Sequence, residues 1–91
     1  MKRIFKYGLV FQDKITVELP VKAEILSIVT QNDMPFLYAL IDDKEKQTEK
    51  VTIICHGTGH PANDIVGRKF LGTLNIMGGS LMFHYFKGES R

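Results

Sequence analysis

Hydrophobic residues in this chain recur with a period of two. Lys14-Ile15-Thr16-Val17-Glu18-Leu19 alternates without a break. In an extended chain Ile15, Val17 and Leu19 therefore share one face, and Lys14, Thr16 and Glu18 the other. A helix would scatter the same residues around its circumference. Pro20 ends the segment, because it has no N–H to give to a ladder. Similar runs predict strands over Arg3–Tyr7, Ala23–Gln31, Phe36–Asp42, Val51–His56, Lys69–Met77 and Leu81–Lys87. In Ala23–Gln31, strict alternation puts Ile25 and Val29 on one face and Leu26 and Ile28 on the other. Phe36–Asp42 is apolar on both faces, which predicts a strand covered on both sides or curled within a small barrel.

Punctuation between the runs agrees. Gln31-Asn32-Asp33-Met34-Pro35 reads as a turn, and Gly78-Gly79 as a two-residue hairpin. Asp42–Lys50 holds seven charged residues in nine, four acidic and three basic, as expected of a solvated loop or hairpin tip. Helical signal is confined to Pro61–Val66, about one turn. The expected fold is all-β, a compact seven-stranded antiparallel barrel or sandwich with at most one short helical turn. Free strand edges in such a domain favour a homo-oligomer, with Arg3, Lys6, Lys14 and Lys69 as alternative edge guards.

Ninety-one residues suffice for one domain, read as residues 1–87 with a frayed tail over 88–91. Apolar residues make up 44% and charged residues 24%, which excludes wholesale disorder. The net charge of +2 does not by itself call for nucleic acid or membrane. Lys6 interrupts the apolar run near the start, so no leader peptide is expected, and no stretch is long enough to span a bilayer. The single cysteine, Cys55, excludes an internal disulfide and a four-thiolate zinc site, and suits a reducing cytoplasm.

Chemistry-bearing residues gather in one segment, Cys55-His56-Gly57-Thr58-Gly59-His60-Pro61, with Arg68 and Lys69 downstream. Gly57 and Gly59 permit unusual backbone angles, and amides in such a loop can form a nest for phosphate. His56, Gly57, Thr58, Gly59, His60 and Arg68 are therefore the candidate ligand-binding residues, for an anionic small molecule such as a nucleotide. The spacing matches neither the phosphate loop of nucleotide hydrolases nor the dinucleotide fingerprint. His56 and His60 with Cys55 or His84 make a poor metal set, and no metal or cofactor is expected. Cys55 alternates with Val51 and Ile53, so it reads as a core thiol rather than a nucleophile. His84 reads as a half-buried strand histidine bonded to backbone. With no converging acid–base pair, the chain is not expected to be an enzyme. The nine aromatics are expected mainly in the core, with Tyr7 and Tyr38 partly exposed.

Several segments together resemble a family of short phage and bacterial proteins of unknown function. They are Met1–Tyr7, Ile15–Pro20, Ala23-x-Ile25-Leu26-Ser27-x-Val29-x-Gln31, Leu37-Tyr38-Ala39-Leu40-Ile41-Asp42, Gly57-Thr58-Gly59-His60-Pro61, Leu71-Gly72-Thr73 and Gly79-Ser80-Leu81-x-Phe83-His84-x-Phe86. The resemblance covers nearly the whole chain. It departs at Tyr38, where tryptophan is expected, and at Gly8, where proline is expected. It implies a phage or prophage accessory protein in the host cytoplasm, countering host defence by binding a nucleotide signal. Alternatives are an inhibitor that occludes a host defence protein and a single-stranded nucleic-acid-binding β domain.

Overall fold

The computed structural model describes residues 1–90. Seven strands run β1 (Lys2–Gly8), β2 (Lys14–Pro20), β3 (Glu24–Gln31), β4 (Met34–Asp42), β5 (Thr48–Gly57), β6 (Phe70–Ile76) and β7 (Leu81–Ser90). One 3₁₀ turn, Asn63–Ile65, interrupts the β5–β6 connection within the segment expected to be helical. The strands form two antiparallel sheets, β1-β4-β3 and β2-β5-β7-β6. The sheets do not close into a barrel, and the sandwich reading holds. Of the tail read over 88–91, residues 88–90 fall within β7 and Arg91 lies outside the described residues.

Alternation decides the inner faces. Ile15 and Leu19 of β2, Val51, Ile53 and Cys55 of β5, and Leu37, Ala39 and Ile41 of β4 meet in one aliphatic core. Leu71, Leu74 and Ile76 of β6 and Tyr85 of β7 complete it. Truncating a residue as enclosed as Leu37 or Ile53 costs about 2–5 kcal/mol.

Three expectations are corrected. In β3 the buried pair is Ile25 and Ile28, while Leu26 and Val29 are exposed. A bulge makes the difference: Ile25 pairs with Ala39 and Ser27 with Tyr38, so Leu26 is an extra residue that reverses the parity after it. The two-faced apolar run of β4 is covered on one face only. Phe36, Tyr38 and Leu40 lie half-buried on the outside of the first sheet. The aromatic core also fails to appear. None of the six phenylalanines is buried, and Tyr85 alone joins the aliphatic residues.

The turns are tighter or longer than read. Asn32 and Asp33 form a two-residue hairpin between Gln31 and Met34, both at positive φ, and Pro35 belongs to β4. Gly78-Gly79 lies within a four-residue loop, Met77–Ser80, in which Met77 also takes positive φ. In the charged β4–β5 connection, Asp43 is bonded to the Arg3 guanidinium.

The two sheets are joined along one side, where β3 lies against β6. Gly72 makes the approach possible: a methyl group there would lie well inside contact distance of the Ile28 carbonyl. Lys69 Nζ donates to the Ile25 carbonyl at 3.4 Å along the same side.

Gly72→Ala is expected to destabilise the fold by about 1–3 kcal/mol, because backbone cannot move aside as a rotamer does. Gly8→Ala, with only the Phe36 ring in ordinary contact, is the matched control and should shift the denaturation midpoint little. A second expectation concerns acid. Arg3 holds the Asp43 carboxyl below its ordinary value of 3.8. A depressed carboxylate contributes stability above that ordinary value and loses it as pH falls through the folded value. Asp43→Asn should therefore lower the neutral-pH midpoint modestly and flatten the acid limb of the pH–stability curve.

Candidate functional site

Pairing of β5 with β7 fixes the site. His56 lies directly opposite His84, and His84 opposite Thr73 of β6. Their sequence neighbours Cys55 and Tyr85 turn into the core, so His56, His84 and Thr73 face outward. Three strands thus set two imidazoles and a hydroxyl side by side on the outer face of the second sheet.

Loop residues then close over them. Thr58 Oγ1 lies 2.7 Å from His84 Nε2, and Thr73 Oγ1 lies 3.0 Å from His84 Nδ1. In a neutral imidazole one ring nitrogen donates and the other accepts, so the two hydroxyls hold His84 from both sides. His84 is half-buried, as expected, but its partners are these side chains and not backbone. His56 Nε2 donates to Asp64 Oδ1 at 2.6 Å. Arg68 Nε donates to the Asp64 carbonyl at 3.4 Å within the same connection, so His56 ties the 3₁₀ turn to β5 and Arg68 braces it from its own loop.

Glycines shape the turn. A side chain at Gly57 would meet the His60 ring at 3.0 Å, so the absence of a Cβ lets that ring fold over the strand end. Gly59 takes φ +88°, the left-handed region that favours glycine. The Thr58 amide donates to the Met82 carbonyl and the His60 amide to the Gly57 carbonyl. Those two donors are therefore committed within the protein.

A cavity of about 270 Å³ opens beside this turn. Gly57, Thr58, His60 and Ser80 form one part of its lining, and Leu81, Met82 and Phe83 the other. Phe11 from the β1–β2 connection packs at a tilt against Phe83, with ring centroids 6.4 Å apart. Of the sequence-read candidates, Gly57, Thr58 and His60 line this cavity. His56 and Arg68 instead brace the neighbouring segment through Asp64. Ser80, Leu81, Met82 and Phe83 escaped the sequence reading, because they sit more than twenty residues away and enter only through the β5–β7 register. The Gly78-Gly79 turn that leads into β7 was the one available signal.

Cys55 lies beneath the site and not in it. It is buried opposite Tyr85. Burial pushes the thiol above its ordinary value, partly offset by its hydrogen bond with Tyr85, and burial likewise pushes the Tyr85 phenol well above 10. A raised thiol has little thiolate to attack with. Among the described residues, no group of three or more His, Cys, Asp or Glu is placed to hold a metal ion. No helix there is long and apolar enough to cross a membrane.

The molecule is thus a small antiparallel β-sandwich with a histidine- and hydroxyl-bearing turn at one end of its larger sheet. A family profile described as a domain of unknown function, DUF7352, matches residues 1–91, and the chain belongs to that family. No curated protein and no solved structure matches it.

Cys55 should resist a water-soluble thiol reagent at neutral pH in the folded protein and react fully in denaturant. Fast native-state labelling, followed spectrophotometrically, would contradict the buried placement.

Proposed function

We propose that this chain is a non-enzymatic binding protein whose Gly57–His60 turn takes an anionic small molecule, specifically a nucleotide. The supporting observation is the divided lining of the 270 Å³ cavity. Its apolar part, Leu81, Met82 and Phe83, suits a planar base. Stacking on such an aromatic contributes about 1–3 kcal/mol. Its polar part, Thr58, His60 and Ser80, suits a phosphate. The volume lies just below the usual small-ligand range of roughly 300–1,000 Å³, which favours a mononucleotide over anything longer.

Committed amides alter how the phosphate is held. Side chains take it, with His60 and Ser80 foremost, while His56, Asp64 and Arg68 fix the segment behind them. Thr58 presents its hydroxyl from a position already set by His84. A hydroxyl on an imidazole is also how activated nucleophiles begin. Here the far ring nitrogen meets the Thr73 hydroxyl, and the carboxylate of Asp64 goes to His56 instead. No carboxylate backs His84, so the pair lacks the third member of an activated nucleophile, which favours binding over chemistry.

In a phage or prophage accessory protein, such a site would counter host defence by sequestering a nucleotide signal. The buried free thiol suits the cytoplasm, and the unpaired β1 and β2 edges suit a homo-oligomer.

Titration calorimetry against linear and cyclic mononucleotides tests the reading. Saturable binding is expected for at least one, weakened about tenfold, or about 1.4 kcal/mol, by His60→Ala and by Ser80→Ala. Lys46→Ala, in the charged loop, should leave it unchanged. Absence of heat and of thermal stabilisation with every nucleotide at large excess would sink the proposal.

A further inference from the structure

The two sides of the sandwich are unequal. Along one side β3 lies against β6, with Gly72 on Ile28. Along the other, β1 and β2 are the outer strands of separate sheets, each hydrogen-bonded on one edge only. The core is least covered there. Phe5 is the cross-strand neighbour of fully buried Ala39, which places it on the inner face, yet it is 44% exposed. Ile4, on the outer face, is 61% exposed. Every residue of β1 except Tyr7 is exposed. β2 differs: its inward Ile15 and Leu19 are already buried, at 4% and 1%. A strand added to β1 would cover apolar surface, and one added to β2 would cover little. Pro20 further removes a donor from β2.

We propose that β1 pairs with β1 of a second copy, antiparallel and centred on Phe5, to give a continuous six-stranded sheet across a two-fold axis. Three steps select this arrangement. A two-fold axis perpendicular to the sheet leaves both copies with the same face inward. Opposite residues in an antiparallel pair share a face, so residue numbers in each opposed pair must then sum to an even number. Among even registers, a sum of 6 sets Arg3 against Arg3, a sum of 8 sets Lys2 against Lys6, and a sum of 12 sets Lys6 against Lys6. Like charges directly opposite are destabilising. A sum of 10 alone keeps the cations apart while pairing all of Lys2–Gly8. It opposes Phe5 to Phe5, Arg3 to Tyr7, Ile4 to Lys6 and Lys2 to Gly8.

The chemistry of each pair is favourable. The two Phe5 rings cover one another on the inner face, where aromatic pairs add about 0.5–1.5 kcal/mol beyond area. Arg3, its charge balanced by Asp43, lies against a Tyr7 ring. The Lys6 stem crosses Ile4 on the outer face, where Lys6 already lies 4.8 Å above its own Phe36 ring. Such an interface is isologous and closed, so it ends at the dimer. Phe5 is remote in the sheet order from the Gly57–His60 turn, and dimerisation stands or falls independently of ligand binding.

Native mass spectrometry and sedimentation should find a dimer, and Phe5→Glu should be a folded monomer. Phe5→Cys, under mild oxidant, should give a disulfide-linked dimer, because directly opposed antiparallel residues sit about 4.5–5.5 Å apart, within disulfide reach. Thr16→Cys, exposed on β2, should not cross-link, and native Cys55 is buried. A monomer at the highest soluble concentration would overturn the proposal. So would a dimer that cross-links through Thr16→Cys and not through Phe5→Cys.

Discussion

Everything distinctive in this sandwich follows from how closely β3 approaches β6. Two sheets ordinarily stack about 10 Å apart and meet only through side chains. Here backbone meets backbone at Gly72, with no Cβ between that residue and the Ile28 carbonyl. Two irregularities serve this contact from opposite sides. One bulge in β3 falls at Leu26, and another in β6 falls at Leu71, between Phe70 and Gly72. Each bends its strand locally, next to the point of contact. Drawing one side together splays the opposite side, so the edges of β1 and β2 are left apart and Phe5 is left uncovered. A lean core is the cost of that asymmetry: it is aliphatic, with Tyr85 as its one aromatic.

The same β5–β7 ladder carries both core and site. Cys55 and Tyr85 point inward, where burial raises the proton affinity of both, while their sequence neighbours His56 and His84 point outward to hydroxyls and a carboxylate. A one-residue slip would exchange these sets and bury two imidazoles without partners. Register is therefore strongly specified here, and the outward network inherits the rigidity of the core beneath it.

Period-two alternation made the fold class and all seven strands legible, because each strand buries one face and the pattern is local. Parity within β3 was not legible, since a bulge is set by the neighbouring strand and leaves no mark in alternation. Phenylalanine misled for a related reason: a core formed where β3 and β6 come this close has room for branched aliphatics, and Phe36, Phe70 and Phe86 are left at the surface. In the site, glycine chemistry at Gly57 and Gly59 was readable from sequence. Pairing of Thr58 with His84, and the Leu81–Phe83 wall, depend on contacts more than twenty residues apart and were not.

Core and cavity are built largely from different residues, with Phe83 both packing against the core and lining the cavity. Loop 58–69 contributes nothing to the buried core, and the residues of the core contribute no polar atom to the cavity. The loop is held at its ends by backbone bonds to β7, Thr58 to Met82 and Lys87 to Lys69, and between them by side-chain bonds to the outer sheet face, His84 with Thr58 and His56 with Asp64. Bonds of this kind, partly open to water, contribute about 0.5–1.5 kcal/mol each. That is enough to order a turn and too little to determine whether the domain folds. Sequence in the loop can therefore change without loss of the fold, provided Gly57 still admits the ring at position 60.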